Sequence, residues 1–214
     1  LAVNAALEED LRGARPDYGW LSEESTDNPA RLEARTVFVV DPIDGTRAFI
    51  EGQKSWSHAL AVVEDGQVTA AVVHVPLMDK VYTATTGGGA RLNGKPIGIA
   101  ALAPDLDEAN VLATKQNMEP RFWRGKVPGF ARHHRPSLAY RQCLVAENRF
   151  DAMLTFRPAW EWDIAAGSLI LEEAGARITD RHGARLRFNG AVPQASGVIA
   201  AGPALHAEIL DRAL

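Results

Sequence analysis

The stretch "TVFVVDPIDGT", residues 36–46, constrains this chain more than any other. Its first five residues are β-branched or aromatic and read as a buried strand. That strand delivers Asp41, and only Pro42 and Ile43 separate Asp41 from Asp44. Two partly desolvated carboxylates so close together raise each other's pKa unless a cation holds both ionised. The motif has no Lys or Arg, the nearest to the two acids being Arg47. A hard divalent cation fits better, because carboxylates and a backbone carbonyl are oxygen donors that suit Mg2+. Gly45 and Thr46 then open a helical turn, "TRAFI", whose free N–H groups form an anion seat. Glycine lets the backbone approach such an anion closely.

The rest of the sequence sets the frame for this motif. With 214 residues the chain is one large domain or two small ones fused without a linker. A net charge of −4 argues against nucleic acid or an anionic membrane as the main partner. No apolar run approaches the ~18 residues of a membrane span, and no signal-peptide pattern is present. A cytoplasmic location is the resulting expectation. The single cysteine, Cys143, excludes an intrachain disulfide and sits in a helical pattern as a small core residue.

The chain opens in mid-helix without Met, "LAVNAALEEDLRG", with Leu1, Ala5 and Leu7 to Leu11 as the apolar stripe and a C-cap near Gly13. This predicts that its natural N-terminus is missing. "WLSEES" is a short apolar step ending in Glu23 and Glu24, and "TDNPARLEA" reads as an exposed loop. "SHALAVVEDGQVTAAVVHVP" is a hairpin about Asp65-Gly66, and "KVYTATTGGGARLNGKPI" continues the meander through Asn93-Gly94. Residues 1–102 therefore read as a helix plus an antiparallel sheet carrying the acidic motifs. After a loop-like stretch from Ala100 to Glu108, residues 103–214 alternate strand and helix, which predicts an α/β half. "PALHAEILDRAL" closes the chain as a helix with Pro203 at its first position.

Two further acidic sites adjoin apolar runs: Glu23-Glu24, and Asp163 in "EWDIAAG". Each has an ordinary reading. Asp-Pro-x-Asp-Gly-Thr alone can be a capped turn, "SEES" a solvated loop, and Trp-Asp an N-cap beside a packed tryptophan. Their joint occurrence, in these strand and helix contexts, favours a shared site. The six histidines lack metal-ligand spacing, and His133-His134 reads as an exposed basic loop. Gly87-Gly88-Gly89 lacks the Lys-Ser/Thr of a P-loop and reads as a turn.

"SEES", "VFVVDPIDGTRAF" and "EWDIAAGSLILEEAGARITD" together resemble the three motifs of the inositol monophosphatase family of Mg2+-dependent, Li+-sensitive phosphatases. The resemblance covers nearly the whole chain. It implies a layered αβαβα sugar-phosphatase fold, with metals where the two halves meet, and a homodimer by family analogy. It also implies that Glu23, Asp41, Asp44, Asp163 and the carbonyl of Ile43 are metal ligands. Thr46 matches the threonine that orients the attacking water, and the N–H groups of Gly45 and Thr46 match the phosphate seat. The implied reaction is hydrolysis of a small phosphorylated metabolite by metal-activated water.

Two departures accompany the resemblance. The family's loop with a D-G-S-x-x-T-x-x-D-like pattern is missing ahead of residue 1; were it physically absent, activity should be poor. Inositol monophosphatases proper carry a glutamate where this chain has Phe156, followed by "RPAWEWD". That segment looks closer to branches acting on 3'(2'),5'-bisphosphate nucleotides or histidinol phosphate. It nominates Arg157, Trp160 and Glu161 as substrate contacts: Trp160 to stack on a base and Arg157 to pair with a second phosphate. A non-catalytic, metal-binding relative is the alternative of a different class.

Overall fold

The computed structural model describes residues 1–102 and 104–214. Helix α1 spans Ala2–Ala14, one residue beyond Gly13. Its Leu7 and Leu11 pack on Trp20, Phe38 and Val40. Leu1, expected in that stripe, is exposed. The helix's buried residue is instead Asn4, which donates to Ser25 Oγ at 3.0 Å and accepts from Ser22 Oγ at 2.7 Å.

Strand β1 (Gly19–Ser22) leads through a 3-10 turn, Pro29–Glu33, to β2 (Thr36–Asp44) and the short helix α2 (Thr46–Ile50). Strands β3 (Ser57–Glu64), β4 (Gln67–Val75), β5 (Lys80–Thr85), β6 (Ala90–Leu92) and β7 (Lys95–Pro96) follow. The seven form one sheet in chain order. It is not purely antiparallel as expected, because β1 pairs with β2 in parallel, which requires a crossover rather than a hairpin. That crossover, expected to be an exposed loop, holds the buried Arg31. Its guanidinium grips Asp27 at 2.6 and 2.9 Å and reaches Asn189 Oδ1 at 2.7 Å. The tight turns are where the sequence puts them: Asp65 and Gly66 have φ of 49° and 77°, Asn93 and Gly94 48° and 76°.

The second half contains β8 (Asn110–Leu112), β9 (Ala131–His133), α3 (Leu138–Ala146), β10 (Ala152–Thr155), β11 (Ala159–Trp160) and α4 (Glu161–Glu173). It ends with β12 (Arg177–Thr179), β13 (Gln194–Ala195), β14 (Val198–Ala201) and α5 (Pro203–Arg212). Five of these strands make a mixed sheet in the order β12-β14-β10-β8-β9, and β11 pairs with β13 alone. The expected boundary at 102/103 falls at Ala103, outside the described residues. No helix among the described residues is long and apolar enough to cross a membrane.

The layers run α1, first sheet, α3 with α4, second sheet, α5, since α4 packs on β2 to β6, α3 on β10 and β14, and α5 on β14 and β12. The main core lies between the sheets and includes Cys143, fully buried as expected, with its thiol pushed up by burial. Burial of these apolar faces is the dominant stabilising term. The middle layer is tight. A Cβ on Gly167 of α4 would lie 2.6 Å from Gln142 Cδ and 2.7 Å from Gln142 Cβ on α3. Gly167→Ala should therefore lose about 2 kcal/mol, read as a lower urea midpoint at unchanged m-value.

A buried histidine adds a pH dependence. Thr179 Oγ1 donates to Asp180 O at 2.8 Å, so its contact with His206 Nε2 at 2.9 Å is donated by the ring, leaving Nδ1 bare and without a partner. Burial, with the Arg177 charge adding to it, pushes His206 down to about 4. A depressed histidine binds fewer protons folded than unfolded. Its contribution is present above about pH 6.5 and is lost as pH falls toward 4. His206→Leu should flatten the melting-temperature profile across that window, by the equivalent of up to about 3 kcal/mol.

Candidate metal centre

Along a regular strand, residues three apart point to opposite faces. Asp41 and Asp44 escape this because β2 carries a bulge: Asp41 pairs with Ala59 and Asp44 with Ser57, so one residue is extra. Pro42, which has no N–H for the ladder, sits in the irregular step, and His58 Nδ1 engages its carbonyl. The strand thus runs through to Asp44 rather than stopping at Asp41. Asp163 arrives from the first turn of α4. One carboxylate oxygen from each of Asp41, Asp44 and Asp163 lies within 4.8 Å of the others. Asp41 and Asp44 are buried and Asp163 is partly buried.

Burial, then the charges of Asp44, Glu23 and Asp163, push Asp41 up to about 11. Burial and Asp44 push Asp163 up to about 8. Burial also raises Asp44, against hydrogen bonds that pull it down. Among the described residues no Lys or Arg forms a salt bridge to any of the three. The donors are hard oxygens, crowded and short of positive charge, so they fit a divalent cation such as Mg2+.

Glu23 follows β1, its N–H bonded to Val40 O at 3.3 Å. It is exposed, and its carboxyl meets Asp41 at the rim of the cluster, outside the three converging oxygens. Ile43 donates its N–H to Asp41 Oδ1 at 2.9 Å, and its carbonyl accepts the Thr46 hydroxyl at 3.1 Å. Gly45 holds a left-handed φ of 89°, and a Cβ there would lie 3.2 Å from Ser137 N. The first N–H groups of α2 lack intrahelical acceptors.

Three groups beyond the sequence reading build this centre. Asp44 accepts Ser137 Oγ at 2.6 Å, Ala139 N at 2.7 Å and Leu138 N at 3.1 Å, so it caps α3 from outside the helix. Gln142 donates to the Asp163 carbonyl at 3.0 Å. Arg141 is buried beside them. The N-cap signature of Ser137 before an apolar helix is legible in the sequence. The acid it faces, 93 residues earlier, is not.

The proposed substrate contacts fare differently. Trp160 is 41 % exposed and stacks on Trp162 at 4.7 Å and 8°. Arg157 is exposed just before β11. Glu161 is corrected: it is buried, and its carboxylate is committed to Asn189 N at 2.6 Å and Gly190 N at 3.0 Å. It braces the start of α4 rather than facing a substrate. His133 lies in β9 rather than a loop, and His134 Nε2 meets Arg141 Nη2 at 2.9 Å. The Gly87–Gly89 turn is filled from within, since Glu173 accepts the N–H of Gly87 and of Gly89 at 2.8 Å each.

Known proteins resemble this chain in sequence and in fold. A Rhizobium meliloti inositol-1-monophosphatase is 35% identical over 209 residues, covering 92% of this chain and 73% of that protein. Among solved structures, inositol monophosphate-bound SaIMPase-II superposes with a TM-score of 0.84 at 23% identity, over 98% of this chain and 81% of that one. The Thermotoga maritima IMPase gives 0.82 at 28% identity, over 97% and 78%. The first of these structures speaks to the layered fold alone. The profile of the Inositol monophosphatase family matches residues 1–213. With its bulged acidic strand, its third acid on α4 and this match along nearly its full length, the chain belongs to the inositol monophosphatase family.

Proposed function

We propose that this protein is a Mg2+-dependent phosphomonoesterase acting on a small phosphorylated metabolite of the inositol monophosphate kind. The convergence of Asp41, Asp44 and Asp163 within 4.8 Å carries this reading. Glu23 and the Ile43 carbonyl complete the proposed ligand set. A divalent ion held there would lower the pKa of water and neutralise charge on a phosphate.

The chain's own groups supply the rest. The Thr46 hydroxyl donates its hydrogen bond to Ile43 O, so its oxygen lone pairs are left to accept a hydrogen bond from water and orient it. The N–H groups of Gly45 and Thr46 would bind phosphate oxygens. Asp44, anchored by three donors, and Asp163, whose carbonyl accepts the Gln142 amide, hold their geometry through turnover.

The similar proteins carry names and titles that match: inositol-1-monophosphatase for the Rhizobium protein, and inositol monophosphate or 2'AMP bound for SaIMPase-II. Phe156 is 2 % exposed and stacks on Phe122 at 5.1 Å, so no acid stands at that position to hold sugar hydroxyls. A phosphate-release panel tests the reading. Inositol monophosphates, 2'AMP, adenosine 3',5'-bisphosphate and histidinol phosphate would be compared with Mg2+, with EDTA and with added Li+. Turnover of at least one monoester that EDTA abolishes and Li+ suppresses is expected. Hydrolysis indifferent to EDTA would sink the proposal.

A further inference from the structure

Among the described residues, Arg141 is a buried cation without an ion-pair partner. It is 7 % exposed, and among the described residues no carboxylate forms a salt bridge with it. Its guanidinium is fixed by neutral acceptors only: the Arg135 carbonyl at 2.5 Å, His134 Nε2 at 2.9 Å and the Pro136 carbonyl at 3.4 Å. An unpaired buried charge is expensive, so its compensation must come from nearby. The negative groups that attract it are Asp44 and Asp163, two of the three converging acids. Chain geometry explains why. Residues 137–139 of the α3 N-terminus bond the Asp44 carboxylate, and residue 142 bonds the Asp163 carbonyl. Arg141 lies between these two anchors on the same helix.

We propose that Arg141 is a positioning residue for charge: a resident counter-cation that offsets part of the negative field of Asp44 and Asp163 and so sets how tightly the centre takes up a divalent ion. A guanidinium cannot be titrated off, so the offset is permanent. It belongs to the helix whose first turn and Gln142 hold Asp44 and the Asp163 carbonyl. Without it the three carboxylates would present one more uncompensated negative charge. A divalent cation would then bind more tightly and be released more slowly.

This inference rests on the reading of the centre as a cation site, and the test separates the two. Mn2+ is titrated into full-length wild type, R141Q and R141K, with calorimetry and the Mn2+ electron paramagnetic signal as readouts. Glutamine keeps an N–H donor for the Arg135 carbonyl but removes the charge, and lysine keeps the charge but loses the fork. R141Q should bind Mn2+ about tenfold more tightly, the scale of one unit charge acting across a partly desolvated gap. R141K should stay within about threefold of wild type. A purely structural role would move the two variants alike and toward weaker binding. Equal or weaker Mn2+ affinity in R141Q overturns the inference while leaving the cation site standing. Wild type that takes up no Mn2+ overturns both. If R141Q does not fold, R141K decides alone: a tenfold loss of affinity overturns the role given to Arg141, and retention supports it.

Discussion

Asp41→Asn should eliminate Mg2+-dependent turnover and yet raise the melting temperature of the metal-free protein at pH 8. The first half follows from position, since Asp41 contributes an oxygen to the three-acid cluster and meets Glu23 at its rim. The loss should exceed the roughly 10–100-fold that follows removal of an outer-shell partner. The second half follows from linkage. Asp41 and Asp163 have folded pKa values raised to about 11 and about 8 from a reference of 3.8. A raised carboxylate contributes stability that is present below its unfolded pKa and is lost as pH climbs through its folded pKa. Metal-free wild type therefore weakens between about pH 4 and 8. Mg2+ should restore it more at pH 8 than at pH 5. Asparagine is neutral in this buried place without taking up a proton on folding, so the variant should gain about 2 kcal/mol at pH 8, roughly 4–8 °C for a chain of this length. It should also lose the Mg2+-induced shift. Scanning calorimetry of both proteins at the two pH values, with Mg2+ and with EDTA, is the check. A variant less stable than metal-free wild type at pH 8 would show that the crowding at Asp41 is relieved some other way.

Asp44→Ala should do the reverse to stability. Asp44 sits three residues from Asp41 in the same cluster, but its carboxylate accepts the Ser137 hydroxyl and the Leu138 and Ala139 N–H groups. Alanine would strand these buried donors at the N-terminus of α3. Each orphaned donor costs about 1–3 kcal/mol, so a total loss near 3–5 kcal/mol is expected, with Mg2+ binding lost as well. Hydrogen exchange should place the damage in the first turn of α3. Uniform loss of protection, with α3 no worse than the rest, would count against the capping role.

The contrast between these two acids marks what the sequence could reveal. The acidic motifs, the β2 run, the hairpin turns at Asp65-Gly66 and Asn93-Gly94, and all the long helices were legible. They follow from local period, turn chemistry and caps, which act over a few residues. The parallel pairing of β1 with β2 was not legible, because it depends on how a crossover folds back. Nor was the bulge at Asp41 to Asp44, whose extra residue shows only against the register of β3. The second role of Asp44, the burial of Arg141 and the diversion of Glu161 to Asn189 and Gly190 all join residues far apart in sequence. Arg141 is the plainest case: on a helical pattern an arginine reads as solvent-facing, and only the packing of α3 against α4 removes it from water.

Helix α4 has a mechanical consequence. It is anchored at one end by Glu161 and at the other by Glu173, which holds the glycine turn between β5 and β6. Thirteen residues make a rod of about 20 Å. Since Gly167 packs α4 closely against α3, a disturbance at that remote hairpin is expected to reach Asp163 along the rod. Loosening Glu173 should dull ion uptake at a distance, without altering a single charge among the three converging acids.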